Sequence, residues 1–533
     1  MVQPNQSNQL PPQAPQPTPT TVAPRPDRVS PARALLGVII PILGSFLATL
    51  DLQMTNACLK DVQGALGFSA DEGTWVSIAY TSAELISIPL AGWLNQAFSR
   101  RWVLSINAAL FVCITIACAS AWDLTSFMVF RSLQGLVAGV FIVTAFTIVI
   151  TQMPRSKQHL GLVMVGITSS LPTPIAQLTA GWFVDHYSWR FFYSVEVPLG
   201  LLLIAGLWRW LDPQPLRLSI LRQIDWLGLI LLAIAQTCLI VVLQRGNTEN
   251  WFDSDWIVHV SLTSILFLVL FCGWEWVTRS PLVDLRPLVQ PNFALANILN
   301  LSVGLVLAYT FVLPQYLGQV QGYNTVQIGS VLIWGVVVNP LVPKLVEHLE
   351  ARLVLAIGLS IFVTSCFMNS ALTYSNGGEQ FVWSQIVRAI GQPVLVVAIS
   401  FIATAGVQKD QADSVSAIYN GIRVVAGTLG TALLGTLLTK REQFHSNHVV
   451  EAVSNYNTQT QDRLQQLSQV FTTKLGDPSA AQAQATSALS QTVRQQSNIM
   501  AFSDCFYFLG MSLLLVGSII FLLRRTPKPG DIH

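Results

Sequence analysis

The 533 residues are 52 % hydrophobic and only 11 % charged, with a mean hydropathy of +0.53, which excludes a soluble globular protein because aqueous cores would not bury that much apolar surface. A net charge of +2 gives no electrostatic case for nucleic-acid or acidic partners. Seven cysteines without C-x-x-C spacing and seven scattered histidines form no disulfide framework or metal constellation, so neither a metal nor a cofactor is expected.

Residues 1–32, opening MVQPNQSNQLPPQAPQPTPT, are rich in Pro and Gln and lack a signal-peptide pattern, which predicts a disordered cytoplasmic tail. The chain then breaks into fourteen apolar stretches of roughly 18 to 25 residues, each long enough as a helix to cross a hydrocarbon layer about 30 Å thick. They run 35–59, 74–94, 102–119, 124–150, 160–183, 191–210, 226–243, 257–277, 293–316, 328–345, 353–374, 381–405, 418–438 and 502–523. Their continuous apolarity argues for helices, because barrel strands would be about ten residues of alternating pattern. With the amino terminus inside, the inner segments hold more than twice as many Lys and Arg as the outer ones. Both termini are therefore expected in the cytoplasm, with the chain spanning an inner or plasma membrane. Residues 439–500 form the one long outer segment. Leu464, Leu467, Val470 and Phe471 recur there at helical spacing, which predicts short amphipathic helices outside the membrane. A solvated spacer and a partner-docking surface both stay open for it.

The ionisable side chains inside these spans carry the functional argument. In the second span Ser77, Tyr80, Glu84 and Ser87 share one helical face. An intramembrane carboxylate is costly, so Glu84 is expected to face a protein cavity or a partner, where a modest change of environment can load or unload its proton. Asp51 lies toward the outer end of the first span, as a second proton carrier, a charge attracting cations, or an interfacial group. Glu196 begins the sixth span and is expected at the water interface. Arg131, with Gln134 one turn on, places a permanent cation in the fourth span and requires an acidic or carbonyl partner. Gly135 and Gly139 form a G-x-x-x-G suited to close helix approach. In the second half Gln385, Arg388 and Gln392 share a face, as do Asn420, Arg423, Gly427 and Gly430, with no intramembrane acid to answer them. Tyr80, Gln134, Gln236, Gln315, Tyr316, Gln385, Arg388, Asn420 and Arg423 are the candidate substrate-lining residues.

A repeat is visible: Arg100-Arg101 precedes FRSLQGL around Arg131, and Arg352 precedes VRAIGQP around Arg388. Two six-helix halves (33–212 and 291–525, the latter including 439–500) with an inserted helix pair (213–290) and a short tail (526–533) fit it. LDLQMTNACL (50–59), GWLNQAFSRRWVL (92–104), RSLQGLVAG (131–139), HYSWRFFYSVEVPLG (186–200), RGNTENWFDS (245–254) and SPLVDLRPL (280–288) together resemble the major facilitator superfamily, in its fourteen-helix drug:proton antiporter branch of the EmrB/QacA type. The resemblance implies an all-α major facilitator fold and proton-coupled efflux of amphipathic small molecules, energised by the proton gradient. It also implies proton coupling at Glu84, Asp51 and Arg131, and a gating turn at Gly92, Asn95, Arg100 and Arg101. The sequence departs from the branch at Asn95 and Ser99, where an acid and a glycine are usual, at Glu196, where asparagine is usual, and at Ala176-Gln177, which replaces the Gly-Pro pair of the antiport signature. A specific metabolite, siderophore or lipid exporter, or a non-antiport facilitator, is the alternative. A periplasmic adaptor and outer-membrane channel are the partners the branch suggests, besides the bilayer and the substrate. No cluster of nucleophile, base and orienting groups and no phosphate-cradling loop is present in the sequence, so neither an enzyme nor an ATP-driven pump is expected.

Overall fold

A computed structural model describes residues 31–154, 157–217, 219–220, 224–338, 349–405, 407–408, 411–453 and 457–523. Its helices are α1 (Pro31–Ala57), α2 (Leu59–Leu66), α3 (Ala70–Ala97), α4 (Arg100–Ala119), α5 (Leu124–Gln152), α6 (Gln158–Ile167), α7 (Pro172–His186), α8 (Tyr193–Trp210), α9 (Trp226–Arg245), α10 (Asp255–Val277), α11 (Pro291–Gln319), α12 (Thr325–Leu332), α13 (Trp334–Val338), α14 (Ala351–Met368), α15 (Val382–Thr404), α16 (Ala412–Ala452), α17 (Thr458–Leu475) and α18 (Pro478–Gly517). The fold is all-helical, and 12 of its spans are long and apolar enough to cross a membrane. Two further positions of the expected fourteen fall on α3, 28 residues long, and on α12–α13, beyond which the predicted tenth span runs outside the described residues. Side chains mark where the helices begin. Ser69 and Glu72 form a capping box at α3, Asp123 and Ser126 one at α5, and Asn324 and Gln327 one at α12. The outer surface stays apolar: Leu262, Ile265, Leu266 and Val269 of α10 are all exposed, which only a lipid environment tolerates over a whole helix face.

Two predicted spans are interrupted. The fifth ends its first helix at Ile167 and restarts at Pro172, because proline lacks the N–H that a continuous helix needs and fits the first turn of a new one. The tenth breaks between α12 and α13. Within 439–500 the stretch carrying Leu464, Leu467, Val470 and Phe471 is helical, as α17, but the flanking parts extend the membrane helices. α16 continues through Thr439 to Ala452 without a Gly or Pro to stop it, and α18 begins outside at Pro478, capped by Asp477, and runs straight into the last span. α17 packs along α18, so the segment is a helical hairpin rooted in two membrane helices. At its root Asp504 accepts hydrogen bonds from Arg441 at 2.6 Å and His445 at 2.7 Å, which gives His445 a structural role.

α3 and α5 cross with their backbones in contact. A Cβ at Gly135 would overlap the Tyr80 carbonyl and one at Gly139 the Ser87 hydroxyl, so the G-x-x-x-G serves close helix packing. Gly135→Ala is accordingly expected to cost about 1–3 kcal/mol through overpacking, read as a lower melting temperature of the purified chain. An unchanged melting temperature would show that the crossing is looser than this. α11 and α16 cross at Gly304 and Gly430 in the same way. The inserted helix α9 packs on α3 and α16, and its turn ties both. Arg245 donates to the Asp71 carbonyl (3.3 Å) and Thr74 (3.4 Å), while Asn247 and Trp251 donate to Thr439 (3.1 Å) and Thr436 (3.0 Å).

Candidate functional site

The deepest ionic group lies where α1, α4, α5 and α8 converge. Arg131 and Asp51 are 1 % and 0 % exposed, and the guanidinium Nη1 donates to both carboxylate oxygens of Asp51 at 2.9 and 2.8 Å and to Gln134 Oε1 at 2.6 Å. The guanidinium also lies over the Tyr80 ring, 4.3 Å from its centroid, while the Tyr80 hydroxyl donates to the Ala48 carbonyl at 3.1 Å. Gln134 continues the chain by donating to Thr115 at 3.2 Å, and Thr115 reaches Glu196 at 3.5 Å. Glu196 is fully buried with its carboxyl beside that of Asp51, which corrects its expected place at the interface. Asp51 is likewise an interior group. Two carboxyls thus face one permanent cation, a set that is neutral only with one proton aboard.

Glu84 sits one helix over, 5 % exposed, in the electrostatic field of Arg423 on α16 and Arg131 on α5. Its carboxylate accepts no hydrogen bond among the described residues, and Arg423 Nη1 is likewise without one. Glu84 and Arg423 form no ion pair among the described residues and act on each other only through their field, across the two halves. The equivalent cation of the second half is held differently. Arg388 donates to Gln385 at 2.9 Å and Gln392 at 2.6 Å and lies 5.5 Å from the Tyr309 ring centroid, with Tyr309 accepting from Gln385 at 3.0 Å and from Asn369. No acid pairs with Arg388 among the described residues; amides and an aromatic face hold it. Asn420 donates to the Ser416 carbonyl at 2.9 Å and is fully buried one turn from Arg423.

The remaining candidates scatter. Gln315 lines a cavity of about 460 Å³ on the face that carries the helical hairpin. Tyr316 is packed between Phe381 and Phe502, and its hydroxyl donates to the Thr373 carbonyl at 3.0 Å, so it anchors a turn within the packing. Gln236 is half-buried on α9, apart from both arginine clusters. The turn residues close the opposite, basic face. Gly92 lets α16 approach so that a Cβ there would touch Asp413, Asn95 donates to Thr144 at 2.8 Å, and Arg100 donates to Thr151 at 2.9 Å beside Asp413. Arg101 stacks over Trp208 at 4.3 Å. Thr147 donates to Ser416 at 2.8 Å and Phe146 stacks on Tyr419 at 5.1 Å, so both halves meet on this side through buried polar and aromatic contacts. Sequence reasoning missed Thr115, Tyr309 and Asn369. Each is a neutral residue inside an apolar run, and the only signal available was its helical register with an arginine or glutamine.

The profile of the Major Facilitator Superfamily matches residues 42–431. The chain is 26 % identical to the colistin resistance protein EmrB of Acinetobacter baumannii over 492 residues, covering 91 % of this chain and 96 % of that protein. It is 26 % identical to the multidrug export protein EmrB of Escherichia coli K12 over 498 residues, 92 % of this chain and 95 % of that one. The proton:xylose symporter XylE, solved with 6-bromo-6-deoxy-D-glucose, shares the fold with a TM-score of 0.55 at 10 % identity, covering 92 % of this chain and 99 % of that one.

Proposed function

The chain belongs to the Major Facilitator Superfamily, and from that premise we propose that this secondary transporter exports amphipathic small molecules in exchange for protons. The observation that carries the reading is the buried set of Asp51, Glu196 and Arg131, two acids against one cation, with Glu84 opposite Arg423 a helix away. When a proton sits between Asp51 and Glu196 the set is neutral. Releasing it leaves one excess negative charge in a low-dielectric interior, a state stabilised only when water or a cationic group reaches the site from one face. Glu84 and Arg423 lie on opposite halves, so loading a proton onto Glu84 weakens an attraction between them and favours separation. Rocking of the halves about this level then exposes the site to alternate sides. Arg388, Gln385 and Asn420 supply polar contacts for substrate from the second half, and Tyr80 an aromatic one. The relatives named for multidrug export and colistin resistance support export as the direction. The basic face bearing Arg100 and Arg101 is taken as cytoplasmic, with both termini there and the hairpin outside the inner membrane. In a cell with two membranes, the hairpin is the surface on which a periplasmic adaptor leading to an outer-membrane channel would seat.

A second reading, a facilitator or an exporter of one metabolite, siderophore or lipid, is favoured by Ala176-Gln177 standing in place of the Gly-Pro pair on α7. The two are separated by reconstituting the chain in liposomes with an imposed pH gradient and following a fluorescent amphipathic dye. Uphill dye movement that collapses on adding a proton ionophore is expected. Movement that persists with the gradient dissipated sinks proton exchange. In the same assay Glu196→Gln removes the second acid, so the Asp51–Arg131 pair is neutral without a proton. Downhill equilibration is expected to survive while the accumulation ratio falls about tenfold, one proton's share at a gradient of one pH unit.

A further inference from the structure

We propose that the cavity of about 460 Å³ on the hairpin face is a binding site for zwitterionic amphipathic molecules, distinct from the central ionic level. It lies between α11, α16, α18 and the α9–α10 turn, and none of Asp51, Glu84, Arg131, Arg388 or Arg423 lines it. Its volume is in the range of small-molecule sites. Glu442 of α16 and Arg494 of α18 both line it, yet they form no ion pair with each other, and neither has an ion-pair or hydrogen-bond partner among the described residues. Opposite charges left apart across one cavity present a dipole, which an ammonium and a carboxylate on one molecule would satisfy together through charge-assisted hydrogen bonds. Gln315, Asn247 and Asn498 add amide donors and acceptors around the wall, and Asn247 is fixed there by its hydrogen bond to Thr439 at 3.1 Å. Phe311 supplies an apolar surface for the body of the ligand.

Arg494 is exposed and Glu442 half-buried, so a singly charged ligand would leave one of the two charges to water alone, and the arrangement favours molecules carrying both. The cavity is assembled from the inserted turn, the second half and the root of the hairpin. Ligand bound there therefore touches three parts of the chain that need not move as one. The inference rests on the export reading, within which this is a holding site on the far side of the membrane from the basic face.

The test is equilibrium binding to the full chain in lipid nanodiscs without a pH gradient, read by the fluorescence of three probes: dansyl-lysine (zwitterionic), dansylcadaverine (cationic) and dansylglycine (anionic). Dansyl-lysine is expected to bind about tenfold more tightly than either singly charged probe. Glu442→Gln is expected to bring dansyl-lysine to the affinity of dansylglycine, and Arg494→Gln to that of dansylcadaverine. Equal binding of all three probes by the native chain, or unchanged dansyl-lysine binding in both variants, overturns the assignment. Because no gradient is present, loss of this selectivity with ionophore-sensitive efflux intact counts against the site alone. Intact selectivity with efflux that ignores the gradient counts against proton exchange alone.

Discussion

Replacing Arg131 by alanine is expected to cut gradient-driven accumulation about tenfold at one pH unit, to the share that Glu84 alone supports, and to destabilise the purified protein by about 3–5 kcal/mol, the cost of stranding a buried charge once its partner is gone. The stranded groups are specific. Asp51 loses both hydrogen bonds to the guanidinium, Gln134 loses the one at 2.6 Å, and Glu196 is left facing a second carboxyl with no cation between them. Both acids are then forced to hold protons, so neither can release one. Stability and transport should separate in the double variant Arg131→Ala/Asp51→Asn. Removing both charges leaves only Glu196, which is neutral with its proton on, so melting temperature is expected to recover by more than half while the accumulation ratio stays about tenfold low. If the double variant is as unstable as the sum of the singles, Asp51 and Arg131 do not stabilise each other and the buried pair is misassigned. If Arg131→Ala pumps like the parent, the site has no part in coupling.

Glu84→Gln is the second large effect, and it should leave the fold unharmed. Glutamine keeps the shape, and the Glu84 carboxylate accepts no hydrogen bond among the described residues that an amide would lose. What disappears is a group able to gain and lose a proton opposite Arg423. At a gradient of one pH unit each exchanged proton supports about a tenfold concentration ratio of an uncharged substrate, since one pH unit is about 1.4 kcal/mol. Two proton sites, Glu84 and the Asp51–Glu196 set, would therefore support about a hundredfold ratio, and Glu84→Gln should reduce it to about tenfold. Steady-state accumulation in vesicles, measured with the internal volume known, distinguishes these outcomes. A ratio unchanged from the parent removes Glu84 from the coupling machinery and leaves it a packing residue.

Both predictions concern side chains that the sequence already marks as unusual, but the way they pair was not readable there. Hydropathy finds a charge inside a span because the span's average apolarity sets lipid as its surroundings. It reports nothing about which neighbouring helix turns toward that charge. Asp51 and Arg131 are 80 positions apart, and only the packing of α1 against α5 brings them within hydrogen-bonding distance. Glu196 shows the limit more sharply. Its place at the start of α8, two residues before Pro198, suits an interfacial acid by every local criterion, and it is buried because α8 lies against α1 and α4 there. The continuity of the hairpin with the membrane helices was hidden for a related reason. Hydropathy ends a span where polar residues begin, whereas a helix stops at the membrane surface only if a breaking residue or a cap stops it, and none stands between Thr439 and Ala452.

By itself, the sequence determined that the chain lives in lipid, that its spans are helices, that Arg131 needs a partner and that Gly135 and Gly139 lie on one helix face. These follow from composition and from the 3.6-residue period, which are local properties. Only the tertiary structure decided which acid answers Arg131, that Arg388 is held by amides and Tyr309 without an acid, and that Glu442 and Arg494 share one cavity unpaired. The reason is that the cost of desolvating a charge depends on everything surrounding it in three dimensions, and a chain sets that surrounding only once its helices have packed.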